Sequence, residues 1–205
     1  MSRPHKTYGN EYNRNKFEDF EKRKNDMFND LVELCTEHIL STQNTYEIVK
    51  NIAWSWTDGM GNGYQGCTYW SEAALKKCYN VEDVSECKEK TSHSNKDLRH
   101  EHIVPKRLFI EYIMDKCYKN KENPNRNFID GNLIGCIITA DEDKLFSGKL
   151  RYGMSNEICF EDINCANRWL RYLEAGISKI YNVSWKLTDD GKKLIIDSLV
   201  KITNT

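Results

Sequence analysis

No apolar run in this 205-residue sequence approaches the roughly 20 residues that a membrane-spanning helix needs. No membrane span is therefore expected. An excess of one charge is missing too, because 30 Lys and Arg face 31 Asp and Glu, for a net charge of −1. That balance argues against a protein that coats nucleic acid indiscriminately. It leaves room for a local basic cleft. None of the 8 cysteines sits in a C-x-x-C pair, and Cys67, Cys78 and Cys87 are too widely spaced for a zinc ribbon. The opening residues, MSRPHK, lead into no apolar signal segment. Reduced, buried thiols and a cytoplasmic protein are the expectation. Internal repeats and low-complexity tracts are absent. What is present is an apolar share of 39%, carried in part by 5 Trp, 11 Tyr and 7 Phe. These large side chains supply enough buriable surface for one globular domain, with or without decorations.

Periodicity predicts an α+β protein that is mainly helical. Residues 15–40 read as a helix, with Phe17, Phe20, Met27, Leu31, Leu34 and His38 near one stripe. A second helix is expected at 45–56. Four glycines within residues 58–66 predict a loop, and the stretch lacks the Gly-Lys-Ser/Thr ending of a phosphate-binding P-loop. A short helix at 69–79 and irregular chain at 80–97 should follow. Residues 98–104 read as a strand stopped by Pro105, 106–119 as a helix, and 120–131 as a turn-rich loop. Residues 133–139 form a clear buried strand. Thr139 and Glu142 then have the spacing of a capping box that opens a helix at 140–146. Two further helices are expected at about 161–181 and 188–202.

Chemistry concentrates where His100, Glu101 and His102 meet the end of a predicted strand. Hydrolysis of a phosphodiester needs a base to activate water and a cation to stabilise charge growing on the phosphate. A neutral histidine suits the first task near neutral pH, and oxygen ligands suit Mg²⁺ for the second. Strict alternation along a strand places Glu101 and His102 on opposite faces. Both can reach one phosphate only if the strand ends or kinks there.

This pattern resembles the HNH (ββα-metal) endonuclease family. Glu101-His102-Ile103-Val104-Pro105 matches its first block and Asn132-Leu133 its second. Asp141 lies nine residues after Asn132, and Lys144 three further on. The resemblance covers residues 98–147, about a quarter of the chain. It implies that His102 is the general base and that Glu101 and Asp141 bind one Mg²⁺ or Mn²⁺ ion per site. Asn132 would brace the loop between the strands and orient His102. Lys144 and Arg99 would neutralise phosphates, and His100 would be a substrate contact or surface. The sequence departs from the family in four ways. Asp141 stands where His or Asn is usual, the glycine after the proline is missing, the zinc-binding cysteine pairs are absent, and the insertion before Asn132 is long.

The resemblance divides the chain into three regions. Residues 1–97 would be a helical part for target recognition or dimerisation. Residues 98–147 would be the nuclease motif, and 148–205 a helical region packed on the same core. The implied activity is cleavage of DNA, double-stranded DNA being favoured. A sequence-specific restriction or anti-phage role fits the amount of chain outside the motif, and cutting both strands would call for a homodimer. Two other readings stay open: an HNH ribonuclease or toxin acting on RNA, and a non-catalytic nucleic-acid-binding protein on a nuclease scaffold. Arg168 and Arg171 read as a solvated pair, His38 and His93 as structural or surface, and the tryptophans as core.

Overall fold

Apolar side chains at helical spacing build the first two elements. Helix α1 (Asn15–Glu37) buries Leu31, Leu34 and Cys35. Helix α2 (Thr42–Thr57) buries Val49, Ile52, Ala53 and Trp56. The computed structural model describes residues 15–38, 41–57, 67–89, 97–154, 158, 160–164, 167–187 and 194–202. The glycine-rich stretch 58–66 and His93 lie outside these residues. Helices α1 and α2 pack with α4 (Lys106–Glu111) and the π-helical turns Tyr112–Tyr118 that continue it. Phe109, Ile113, Ile129 and Phe160 close this core.

The chain is α+β and mainly helical, and its helices surround a five-stranded sheet of order β2-β3-β1-β4-β5. The strands are β1 (Tyr69–Ser71), β2 (Leu98–His102), β3 (Gly135–Thr139), β4 (Ile180–Leu187) and β5 (Leu194–Ile202). Strands β1 and β3 pair in parallel, and the other neighbours are antiparallel. Every residue of β3 is buried. Alternation sends Ile137 into one cluster with Trp70, Leu75 and Leu98, while Cys136 and Ile138 join Ile103, Phe146 and Tyr172 in another. A strand with apolar residues on both faces is one that the fold covers on both sides.

The chain between β2 and β3 contains α4, the π-helical turns and α5 (Arg126–Asn132), which Asn125 caps by accepting from the Phe128 N–H. Helix α6 (Ala140–Leu145) follows β3 directly. The capping box expected from sequence is present. Thr139 N–H donates to Glu142 Oε2 at 2.8 Å, and Glu142 N–H donates to Thr139 Oγ1 at 3.1 Å. Strand β2, antiparallel β3 and α6 thus form a strand–strand–helix unit.

The C-terminal third corrects the expectation of two long helices. After the four-residue α7 (Lys149–Tyr152) come a 3-10 turn at Phe160–Asp162, the short α8 (Leu170–Glu174) and the β4–β5 hairpin. The region 148–205 is therefore not a helical layer, and its hairpin extends the sheet. Residues 180–202 are rich in β-branched and aromatic side chains, which suit a pleated surface. Their apolar spacing also fits a helix, so the pattern was ambiguous. Pairing of β4 with β1, Tyr69 opposite Asn182 and Ser71 opposite Ile180, resolves it. Smaller differences are the end of β2 at His102 rather than residue 104, the strand at Tyr69–Ser71 ahead of α3 (Glu72–Tyr79), and a helix within 120–131.

Candidate active site

Strand β2 presents different chemistry on its two faces. On one face the rings of His100 and His102 stack, 5.8 Å between centroids and 9° from parallel. Trp54 of α2 covers both, at 5.6 and 5.7 Å. His102 is 4% exposed, and its Nε2 lies 3.2 Å from the Ala53 carbonyl oxygen and 3.1 Å from Thr57 Oγ1. A carbonyl oxygen accepts and cannot donate, so Nε2 carries the proton. The Thr57 hydroxyl donates to the Trp54 carbonyl at 3.2 Å, which leaves its oxygen to accept from Nε2 as well. Nδ1 therefore holds the lone pair of His102. Burial, then the neighbouring His100, pushes the pKa of His102 down to about 3. Burial, then the charge of Lys106, pushes that of His100 down to about 4. Both imidazoles are neutral at physiological pH.

Among the described residues the buried His100 Nε2 has no hydrogen-bond partner. A Cβ added to Gly135 on the adjacent strand would meet that nitrogen at 2.1 Å. The stack beneath Trp54 leaves the ring little freedom to move aside. Gly135→Ala should therefore destabilise the protein by about 1–3 kcal/mol, measured by urea unfolding. The same substitution placed on His100→Ala should lose most of this penalty.

The opposite face carries Glu101, the cross-strand partner of Cys136. Its Oε1 accepts a 2.6 Å hydrogen bond from Nη2 of Arg171. The Arg171 side chain is fully buried. It also donates from Nη1 to the His102 carbonyl at 2.7 Å and from Nε to the Leu150 carbonyl at 2.5 Å, and its guanidinium lies 4.1 Å from the Phe146 ring centroid. This arginine was read from sequence as solvated, and the structure corrects that. The available signal was its place inside the apolar run Trp169-Leu170-Arg171-Tyr172-Leu173. A charge embedded there needs partners.

Because β2 ends at His102, residues from both its faces reach one opening. Glu101 and His102 border a cleft of about 370 Å³ whose walls include Lys50, Lys106, Arg107 and Arg151. Trp54, expected as core, lines this cleft and lies 4.8 Å from Lys106 Nζ. Glu101 and His102 thus share one cleft although they stand on opposite faces of β2. The wall carries four cations and one carboxylate, Glu101, which Arg171 holds; Lys50, Arg107 and Arg151 are paired with Glu47, Glu111 and Asp143, acids that do not line the cleft.

The remaining expected site residues lie elsewhere. Asn132 is buried, and its amide donates to the Ile163 carbonyl at 3.1 Å. It braces the chain before β3, while Ala53 and Thr57 on α2 orient His102. Asp141 is exposed and paired with Lys144 at 2.7 Å. That pairing lowers the pKa of Asp141 and raises that of Lys144. Arg99 is exposed and bonds its neighbour's carbonyl, Leu98 O, at 2.8 Å. Register explains the separation. Thr139 lies opposite Leu98, so α6 begins beside the start of β2, about 10 Å along the strand from Glu101. His100 sits in the imidazole stack and is not among the cleft's lining residues. The acid of α6 that addresses the cleft is Asp143, through a 2.7 Å bond from Arg151 Nη1. Sequence spacing had pointed to Asp141 instead.

This arrangement does not fit a divalent ion held by Glu101 and Asp141. The Glu101 carboxylate is taken by a buried guanidinium, and the Asp141 carboxylate by an exposed ammonium. Among the described residues no three His, Cys, Asp or Glu side chains are gathered as a metal-holding group. No family model, curated protein or solved structure matches the chain.

Proposed function

We propose that the chain is a phosphodiester hydrolase acting on DNA, an endonuclease built on the strand–strand–helix unit β2–β3–α6. The observation that carries this reading is the joint placement of Glu101 and His102, neighbours in one motif, on a single basic cleft. Lys106, Arg107 and Arg151 would hold the phosphate. His102, with Nε2 fixed to Ala53 and Thr57, would offer Nδ1 as the proton acceptor for water. Burial and then His100 depress the ring's basicity most, and an anionic phosphate beside it would offset the smaller contributions of Lys106 and Arg171. Arg171 would hold Glu101 and the His102 carbonyl in position.

One observation favours a second reading, that of a DNA-binding protein without catalysis. Glu101 is neutralised by Arg171, and Asp141 lies at the other end of β2. Supercoiled plasmid incubated with and without Mg²⁺ or Mn²⁺ separates the two. The hydrolase should nick or linearise it, and His102→Ala should lower the rate by about 10²–10⁴-fold. A wild-type protein that binds plasmid but leaves it intact under every condition would sink the enzymatic reading. Defined fragments from phage DNA, rather than a smear, would support a restriction-type role and a dimer.

A further inference from the structure

A second cavity of about 660 Å³ lies next to the cleft beside Glu101 and His102. Arg107 and Tyr152 line both cavities and so stand at the divide between them. Tyr152 is 63% exposed, and Tyr46, on the wall of the first cavity, is 40% exposed. Both are large aromatic rings on the wall of one cavity that also carries cations. Leu108, Met154 and Ile158 give the second cavity an apolar wall, with Lys149 beside them.

We propose that the two cavities take an unpaired segment of DNA, with bases stacked on Tyr152 and Tyr46 and phosphates on the cations between them. The proposal rests on the hydrolase reading for its choice of DNA. It goes further in naming the strand state and the path. Exposed rings interleaved with cations along a narrow track are the means by which single strands are held without regard to sequence. A duplex buries its base faces in its own stack and cannot offer them to Tyr152. The first cavity, at about 370 Å³, has room for a nucleotide rather than for the width of a double helix. Glu101 and Glu111 are the lining carboxylates. Glu101 is satisfied by Arg171. Glu111 pairs with Arg107 at 2.6 Å, and Glu47 with Lys50 at 3.1 Å, in solvent-exposed contacts. Such pairs contribute little, so a phosphate can displace either carboxylate.

Fluorescence anisotropy of the full chain with labelled oligodeoxythymidine in EDTA tests this without any cutting. Single-stranded DNA should bind at least about tenfold tighter than a duplex of equal length. Tyr152→Ala should weaken binding about tenfold while Tyr152→Phe preserves it, because a phenyl ring still stacks. Arg107→Ala should reduce the salt slope by about one. Tyr152 is exposed, so its variants should keep the wild-type melting curve. Equal or tighter binding of duplex, or indifference to Tyr152→Ala, overturns the proposal. Single-stranded circular DNA left intact alongside selective single-strand binding would sink the hydrolase reading alone, whereas cleavage of DNA without that selectivity would sink this one.

Discussion

Replacing Arg171 with Met should cost the fold about 3–5 kcal/mol, the usual penalty for removing one partner of a buried charge pair. The midpoint of urea unfolding should fall accordingly, with an unchanged slope. Three acceptors lose their donor at once: Glu101 Oε1, the His102 carbonyl and the Leu150 carbonyl. Methionine fills much of the volume, so the loss reports the stranded polar groups rather than a cavity. Arg171→Lys should rescue little, because one ammonium cannot reproduce a planar fork aimed at three oxygens. Adding Glu101→Gln to Arg171→Met should restore part of the loss, since the uncompensated carboxylate is then neutral. Lys144→Ala provides the contrast. Its pair with Asp141 is 74% and 78% exposed, and its removal should leave the unfolding curve where it was. If Arg171→Met unfolds like wild type, the guanidinium does not hold the end of β2.

The two ion pairs also show why the sequence revealed some parts of this site and hid others. Elements whose signals are local were legible. The capping box of Thr139 and Glu142 was one, the buried strand before it another, and the strand that carries the Glu101–His102 motif a third, though it ends two residues sooner than its pattern suggests. Properties set by register were not. Nine residues of spacing place Asp141 in the first turn of α6, but the pairing of Thr139 with Leu98 decides which end of β2 that turn adjoins. A one-dimensional pattern contains no such information. The C-terminal hairpin was missed for a related reason. Its apolar residues satisfy helical and strand periods alike, and the choice was made by the edge that β1 offers. Arg171 was missed because burial of an arginine depends on partners 70 residues distant in the chain. The orienting groups of His102, Ala53 and Thr57, come from α2, which no local motif marks.

Acid should unfold this protein well above the pH at which its carboxylates titrate. An unfolded histidine titrates near 6.5, whereas folding lowers His102 to about 3 and His100 to about 4. Below about pH 6.5 the unfolded chain therefore binds protons that the folded chain refuses. Stability rises with pH wherever the unfolded state holds more protons. It must then fall as the pH drops from about 6.5 toward the folded values, and these two groups contribute no pH dependence above that window. Carried through the window, the shift on His102 alone amounts to roughly 5 kcal/mol, a large fraction of a domain's stability. Burial dominates, and the Ala53 carbonyl, which favours the imidazolium, is outweighed by burial, His100 and the cations Lys106 and Arg171. Melting temperatures between about pH 4 and 7 should show a steep decline for wild type. His102→Gln cannot titrate, so it should start lower at neutral pH, decline less steeply and approach the wild-type curve as the pH falls. Parallel curves across that range would mean that His102 is protonated without cost in the folded protein. The same burial that makes His102 an acid liability keeps its Nδ1 lone pair available throughout the range in which a hydrolase would use it.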